Sequence, residues 1–432
     1  MRLSLAAITT LLFQTASASI AAAQPNVLLI IADDMGLDAS RCYEVGDQQA
    51  PMPTLESLCA RGMVFDNAYA APVCSPTRAT IMTGQYGFRT GVGSTVSSNG
   101  TNGLDEDVTS LFDLMNAADY ASALIGKWHL ADSGDDLNHP ADFGVPYYFG
   151  LFSGALQDYE NWTAVENGRE VQVNRYATTE MTDRAIDWIA GQDDPWFLWL
   201  AYNAPHDPFH LPPLNLHDFD DLRDDADAIA ADPLPYYNAT LQALDTEIGR
   251  LLASLPAEER AETVILFVGD NGSPNEVVGD IYGDKGAKQT IYEGGTNVPL
   301  IVAGPDVAAG QTNALVNTTD LFATVAGYAG IGTDTPDAFD IRPVLGGGRN
   351  ARDFAYVEYF SDQSRGGRNA VFGWALRDGP FKLVVPDGGT QELYDLSNDP
   401  QEQRDLLSDG VTMAERWRVM QMSARRDALV GD

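Results

Sequence analysis

The stretch NVLLIIADD, from Asn26 to Asp34, joins an unbroken apolar run to a pair of carboxylates. A short apolar run without polar alternation is typical of a strand that is buried on both faces of a parallel sheet. Ligands of such sheets bind beyond the carboxyl ends of the strands, which is where Asp33 and Asp34 fall. Adjacent carboxylates repel each other unless a cation or hydrogen bonds compensate. The stretch therefore predicts both a central strand and a site at its end.

Further apolar runs and helical patterns extend this prediction along the chain. Amphipathic helical spacing separates the runs, and strands that alternate with helices indicate an α/β fold. We predict a large, mostly parallel sheet that is covered by helices on both faces. The other predicted strands are Tyr120–Ile125, Trp196–Ala201, Thr263–Val268 and Pro299–Gly304, and the predicted helices include Thr54–Gly62, Thr178–Gln192 and Tyr236–Leu255.

The pattern changes after Asn350. The segment Trp374–Val385 contains an Asp-Gly-Pro turn between two apolar halves, which favours a hairpin. Strands are also predicted over Phe354–Phe360 and Gln391–Leu396, followed by a helix over Val411–Leu429. These elements predict a smaller C-terminal α+β domain built on an antiparallel sheet. We place the two domains at residues 24–345 and 350–432.

The N-terminus has the pattern of a signal peptide over residues 1–23. Arg2 precedes an apolar run from Leu3 to Phe13, and small residues at Ala21 and Ala23 suit a cleavage site. The apolar run is too short to span a bilayer, and no later stretch is long enough either. We expect an exported protein, periplasmic or secreted, without a membrane span.

The charge of the chain restricts its partners. It has 26 Lys and Arg against 62 Asp and Glu, a net charge of −36. Such a charge argues against a nucleic-acid partner or an anionic membrane surface. An anionic substrate would need a local cluster of positive charge to hold it.

Polar residues follow the other predicted strands. Asp270 and Asn271 come after Thr263–Val268, and Lys127 and His129 come after Tyr120–Ile125. His206 follows the strand that begins at Trp196. Since the carboxyl ends of parallel strands share one edge, we expect these side chains to converge there with Asp33 and Asp34. Three carboxylates and an amide suit Ca²⁺ or Mg²⁺ better than a softer metal.

The segment CSPTRATIMTG, Cys74–Gly84, predicts a helix that starts close to a cysteine. Pro76 suits a first helical turn, and Gly84 suits a helix end. The cysteine is expected just before the helix N-terminus, where free N–H groups attract anions, with Arg78 one turn further on.

Together these motifs resemble the sulfatases of the alkaline phosphatase superfamily, from Asn26 to about Leu407. The segment at Cys74 is similar to the family's C-x-P-x-R signature, with Thr77 where serine is commoner. YASALIGKWHL resembles the second signature, although Asp119 stands before it where glycine is usual. The segments APHDPF, GDNG, KQTIYEGG and ELYDLSNDPQEQRDL follow in the family's order.

The resemblance implies an arylsulfatase-like hydrolase whose Cys74 is oxidised to formylglycine during maturation. The maturing partner would be a formylglycine-generating enzyme or an anaerobic sulfatase-maturating enzyme. One hydroxyl of the aldehyde hydrate would attack sulfur and displace the alcohol, which leaves a covalent sulfate on residue 74. The second hydroxyl would then lose its proton, reform the aldehyde and expel sulfate. The substrate would be a sulfated small molecule or carbohydrate. Ca²⁺ would be held by residue 74 with Asp33, Asp34, Asp270 and Asn271.

The resemblance also implies roles for the charged residues. Arg78 would stabilise the hydrate, and His129 would be the base for its collapse. The sulfate oxygens would be bound by Lys127, His206 and Lys288, and His206 or Lys288 would protonate the leaving oxygen. The remaining histidines are expected to be packing or surface residues: His139, His210 and His217.

Two other activities stay open from the sequence. A phosphonate monoester hydrolase or phosphodiesterase would use the same motifs. An acidic Ca²⁺-binding protein without activity is the second alternative, although it would not need the full set of cationic residues around Cys74. The other two cysteines, Cys42 and Cys59, are either a disulfide or two separate buried thiols.

Overall fold

The computed structural model describes residues 24–97, 99–133, 136–349, 352–361, 370–408 and 410–431. The predicted signal peptide, residues 1–23, lies outside the described residues. The strands are β1 Asn26–Asp33, β2 Met63–Tyr69, β3 Ala121–Gly126, β4 Tyr148–Gly150, β5 Asn161–Glu166, β6 Arg169–Asn174, β7 Trp196–Pro205, β8 Thr263–Gly269, β9 Leu300–Ala303, β10 Gly310–Asn317, β11 Phe354–Tyr359, β12 Gly373–Asp378, β13 Phe381–Pro386 and β14 Glu392–Asp395. The α-helices are α1 Pro53–Arg61, α2 Cys74–Thr83, α3 Gly87–Thr90, α4 Leu111–Ala117, α5 His139–Asp142, α6 Ala177–Ile189, α7 Ala226–Ala231, α8 Leu234–Ser254, α9 Ala257–Ala261, α10 Glu293–Thr296, α11 Thr319–Tyr328, α12 Arg342–Leu345 and α13 Met413–Gly431.

The large sheet has ten strands in the order β10-β2-β9-β8-β1-β7-β3-β4-β5-β6. Strand β1 lies near its middle and pairs in parallel with both β7 and β8. The predicted α/β fold with a mostly parallel sheet is confirmed. Because β1, β7, β8 and β3 all run the same way, the residues that follow them lie at one edge of the sheet.

Both faces of the sheet are covered, which explains why β1 is apolar throughout. Leu28 and Ile30 face a core that is completed by α1, α6 and α8. Leu29 and Ile31 face the opposite core, which is completed by α2, α4 and α11. Successive side chains of a strand point to opposite faces, so a doubly covered strand needs apolar residues at every position.

Some strands differ from the sequence prediction. The run at Pro299–Gly304 forms β9, but it pairs antiparallel with both β2 and β8. Strands β2, β5, β6 and β10 were not predicted, since each mixes polar with apolar residues. Strands β5, β6 and β10 lie in the outer parts of the sheet and are partly exposed, whereas β2 is largely buried but has Asp66 and Asn67 in the middle of its run. Apolar continuity therefore identifies central strands better than outer ones.

The C-terminal region contains a separate antiparallel sheet in the order β11-β12-β13-β14, as predicted. One face packs against the main body, where Ala355, Val357 and Val384 join a cluster with Val73 and Ile291. The helix α13 covers part of the other face through Met422. The division into domains at residues 24–345 and 350–432 stays a prediction.

Cys42 and Cys59 form a disulfide, with their Cα atoms 6.2 Å apart. The alternative of two separate thiols is therefore wrong. Cys59 lies on α1, and Cys42 lies on the loop that leaves β1. The bridge ties the segment after Asp34 to a helix of the core.

We expect the double substitution of Cys42 and Cys59 by serine to lower the free energy of unfolding by about 3 kcal/mol. The bridge closes a loop of 17 residues, and the chain-entropy model gives this value for a loop of that length. Denaturant unfolding of the variant and the oxidised protein measures the difference. Equal midpoints and slopes would show that the bridge does not stabilise the fold.

Within the described residues, no helix combines the length and the apolar character that crossing a bilayer would require.

Candidate active site

The site forms where the ends of β1, β3, β7 and β8 meet the first turn of α2. Cys74 is the first residue of α2, and Val73 caps the helix with extended backbone. The sequence suggested that the cysteine comes just before the helix. It lies instead inside the first turn. Gly84 ends the helix with φ of +68°, and its N–H donates to the Thr80 carbonyl at 2.8 Å.

The thiol of Cys74 contacts the carboxylates at the end of β1. Its Sγ lies 3.1 Å from Asp33 Oδ1 and 3.9 Å from Asp34 Oδ1. All three residues are buried. Together with His206, they offer ligand atoms that all lie within 4.8 Å of one another. The adjacent carboxylates therefore converge on one point with the cysteine, as the sequence predicted.

The backbone at Asp34 is held in an unusual conformation. Its φ is +68°, in the left-handed region that a side chain with a Cβ rarely adopts. Two contacts compensate, because the Asp34 N–H donates to Asp270 Oδ1 at 3.0 Å and Tyr237 Oη donates to the Asp34 carbonyl at 2.8 Å. Such strain is typical of functional positions that the surrounding structure fixes.

Asp270 and Asn271 follow β8 and complete the cluster. Asn271 Nδ2 donates to Asp34 Oδ1 at 2.8 Å. Asn271 Oδ1 is buried and has no hydrogen-bond partner among the described residues. A buried amide oxygen without a partner is costly, and a cation beside the carboxylates would satisfy it. The donor set therefore fits a hard cation such as Ca²⁺.

Three permanent cations surround these carboxylates. Lys127 Nζ lies 2.6 Å from Asp33 Oδ2, and Lys288 Nζ lies 2.5 Å from Asp34 Oδ2. Arg78 Nη2 lies 2.8 Å from Asp270 Oδ2. The lysines and the arginine neutralise three buried carboxylates, as buried charges require.

The charges shift the pKa values of the site. Burial acts to raise the pKa of Asp33, but the positive charges around it, Lys127 first, hold that pKa well below its ordinary value. Burial and then the charge of Asp33 raise the pKa of Asp270 to about 6. Burial and then the charge of Asp270 raise the pKa of the Cys74 thiol well above its ordinary value. Since the thiolate is the nucleophilic form, Cys74 is a poor nucleophile as a thiol.

His129 follows β3 and is buried. Its Nε2 lies 3.0 Å from the Val96 carbonyl, which can only accept, so the neutral ring carries its proton on Nε2. Nδ1 is then an acceptor, and it has no partner among the described residues. Burial and then the charge of Lys127 hold the pKa of His129 well below its ordinary value, so the ring stays neutral.

His206 lies at the end of β7, between two acidic residues. Its Nε2 is 3.6 Å from Asp34 Oδ2 and 3.3 Å from Lys288 Nζ. Its Nδ1 is 2.8 Å from Asp207 Oδ1. Burial acts to lower the pKa of His206, but the charge of Asp34 outweighs it and the pKa is raised. Asp207 is a site residue that the sequence analysis missed, and its only signal was its place beside His206.

The other histidines pack elsewhere. His139 Nδ1 accepts from Trp128 Nε1 at 2.9 Å, and His210 stacks on Tyr159 with the ring centres 4.0 Å apart. His217 Nε2 lies 3.0 Å from the Pro212 carbonyl. These three side chains are packing residues, in agreement with the sequence interpretation.

Known proteins are similar to this chain in sequence and in fold. The family model described as Sulfatase matches residues 25–331. The chain belongs to the sulfatase family. The protein is therefore an enzyme that hydrolyses sulfate esters, as the motifs around Cys74 had indicated.

Individual sulfatases match most of the chain. The uncharacterized sulfatase YidJ of Escherichia coli (strain K12) is 27% identical over 89% of this chain and 84% of its own length. The N-acetylgalactosamine-6-sulfatase of Sus scrofa is 30% identical over 75% of this chain and 66% of its own length. A crystal structure of Ps i-CgsB in complex with k-i-k-neocarrahexaose has the same fold, with a TM-score of 0.80 at 24% identity and coverage of 94% and 93% of the two chains.

Proposed function

We propose that this sulfatase removes sulfate from a carbohydrate or an aryl alcohol, through a formylglycine made from Cys74 and with a bound Ca²⁺. The buried thiol at the start of α2 carries the proposal, since carboxylates and cations converge on it while its own pKa keeps it un-ionised. The hydrate of formylglycine would supply a geminal diol as the nucleophile, and a bound cation would lower the pKa of that diol and balance developing charge. The metal ligands would be Asp33, Asp34, residue 74, Asp270 and Asn271.

The balance of charge supports binding of an anion here. Lys127, Lys288 and Arg78 already match the three buried carboxylates in number. A divalent cation would therefore leave the site with a positive charge, inside a chain of net charge −36. A sulfate ester carries one negative charge, which this excess would attract. Lys127, Lys288 and His206 would contact the sulfate oxygens, and electrostatic stabilisation of this kind is usually the largest catalytic term.

Different residues would donate a proton to the leaving alcohol and accept a proton from the nucleophile's second hydroxyl. His206 has a raised pKa and lies 3.3 Å from Lys288, so either group suits protonation of the leaving alcohol. His129 stays neutral and keeps an unpartnered Nδ1, which suits a base. The positive charges of Lys127 and Arg78 help to keep it neutral.

A substrate panel tests the proposal. We expect turnover of sulfated sugars or aryl sulfates to exceed turnover of a phosphate diester or a phosphonate monoester by a wide margin. The relative from Sus scrofa is named for a sulfated amino sugar, which favours carbohydrate sulfates as the first compounds to test. Preference for the phosphate diester would assign the same residues to a phosphodiesterase instead.

Metal dependence gives a second test. Asp33→Asn and Asp270→Asn should each weaken Ca²⁺ binding by about tenfold or more, which is at least ~1.4 kcal/mol, because each removes a charge from an oxygen site. Calorimetric titration measures the affinity independently of turnover.

Asp38→Asn is the matched control for the metal. Asp38 is also buried and follows β1, but it accepts a hydrogen bond from Tyr282 Oη at 3.0 Å, outside the cluster. We expect its Ca²⁺ affinity to equal that of the unaltered protein. Undiminished turnover after exhaustive chelation would refute a catalytic metal.

We also propose that the protein is exported and cleaved near Gln24. The disulfide between Cys42 and Cys59 supports this, since disulfides persist in oxidising compartments. N-terminal sequencing of material from the periplasm and the medium should find Gln24 or a neighbouring residue first. A protein that retains Met1 in the cytoplasm would contradict export.

A further inference from the structure

The C-terminal helix α13 is attached to the small sheet by one face. Met422 is buried among leucines of that sheet, and Arg425 Nη1 lies 3.0 Å from Asp378 Oδ2. The guanidinium of Arg418 lies 3.5 Å from the ring centre of Phe381. These contacts fix which side of the helix faces outward.

The outward side carries an apolar stripe. In the part of the chain that the structure describes, four large apolar side chains are strongly exposed, and three of them lie on α13. These are Met413, Trp417 and Met420, exposed by 88%, 57% and 67%. The exposed Ala424 and Ala428 continue the same line. At about 100° per residue, the five positions fall within about 80° of the helix surface, and we call them the α13 stripe.

We propose that the α13 stripe is an interface between two copies of this chain, which pair antiparallel about a twofold axis. The stripe has its large residues in the N-terminal half and its small residues in the C-terminal half. Antiparallel pairing of two copies places Trp417 opposite Ala424 and Met413 opposite Ala428, with Met420 next to the axis. A twofold interface must be complementary to itself, and this order of large and small residues has that property.

The flank of the stripe has matching charges. Arg416 and Asp427 are exposed and lie on the same side of the stripe, about 20° apart around the helix. In the antiparallel pair this flank of one chain lies beside the same flank of the second copy. Measured along the helix axis, Arg416 of one chain is then within about 3 Å of the position of Asp427 in the second copy. Two ion pairs would therefore border the apolar contact, one at each end.

Charge also favours a second copy over other partners. The α13 stripe contains no carboxylate, although the chain as a whole has a net charge of −36. Two copies that meet there bring no stripe carboxylates together, and salt screens the net charge that both copies carry. An anionic lipid surface would be repelled by the rest of the protein.

The size of the stripe predicts a weak dimer. It extends for about 22 Å, from Met413 to Ala428. One pair of helices of that length buries less than the about 1,600 Å² of a standard interface. We therefore expect a dimer that dissociates on dilution.

Sedimentation velocity over a concentration series, in about 0.15 M salt to screen the net charge, tests the interface. The unaltered protein should shift from monomer to dimer as its concentration rises. Met420→Glu should remain monomeric, because it places two carboxylates beside the axis. Leu214→Glu is the matched control, since Leu214 is 65% exposed and lies far along the chain from α13. It should dimerise like the unaltered protein.

A charge exchange tests the antiparallel direction. Asp427→Arg alone should weaken dimerisation, and Asp427→Arg combined with Arg416→Glu should restore it. Melting temperatures of all variants verify that they fold. A protein that is monomeric at every concentration overturns the proposal. So does a dimer that survives Met420→Glu, or a monomer whose stripe binds zwitterionic lipid vesicles.

Discussion

Cys74→Ala should abolish turnover, by about 10³-fold or more, because it removes the group from which the nucleophile is made. The substitution is small, and the thiol that it removes contacts Asp33 Oδ1 at 3.1 Å and is in none of the buried apolar clusters of the described residues. Folding should therefore survive, and Ca²⁺-dependent stabilisation should persist in weakened form, because four of the five proposed ligands remain. Initial rates on a sulfate ester, with melting temperatures measured with and without Ca²⁺, separate loss of chemistry from loss of structure.

Cys74→Ser is the informative companion. Serine retains one oxygen that could attack sulfur, but it cannot form an aldehyde hydrate, so it lacks the second hydroxyl that would expel sulfate. We expect at most a single turnover from this variant. Peptide mass spectrometry of the unaltered active enzyme should find formylglycine at position 74. Full activity in protein whose residue 74 is still a thiol would refute the mechanism.

The sequence could indicate where several of these side chains converge, because they follow strands with a clear apolar pattern. Asp33, Lys127, His206 and Asp270 come at or directly after four apolar strands that the structure places side by side. The carboxyl ends of parallel strands lie at one edge of the sheet, so residues that are far apart along the chain lie close together there.

Features that depend on three-dimensional packing could not be predicted in the same way. The direction of β9 is set by which neighbours it pairs with, and its apolar run is the same for either direction. Asp207 contacts His206 Nδ1, and an acidic residue next to a histidine in the sequence does not by itself imply that contact. The polar outer strands β5 and β6 give little apolar signal, because they are only partly enclosed.

The loop between β8 and α10 offers two lysines with opposite expected effects. Lys288 Nζ lies 2.5 Å from Asp34 Oδ2 and 3.3 Å from His206 Nε2, which places its charge in the proposed sulfate site. Lys285 Nζ instead lies 2.9 Å from Glu392 Oε2 and 4.5 Å from the ring centre of Tyr292, where it joins the loop to the small sheet. Lys285 and Lys288 are therefore only three residues apart, but Lys288 lies in the proposed sulfate site and Lys285 contacts the small sheet.

Lys288→Ala should lower turnover by about 100-fold to 1,000-fold, as expected when one preorganised charge is removed from a developing anion. Lys285→Ala should leave turnover nearly unchanged and instead lower the melting temperature slightly, because it breaks a partly exposed ion pair. Lys288→Arg provides a third variant, which keeps the charge and should recover part of the activity. Steady-state rates on one sulfate ester, with melting curves for each variant, decide between the two lysines. If Lys285→Ala proved the more damaging to turnover, sulfate binding would have to be assigned to the small-sheet side of the loop.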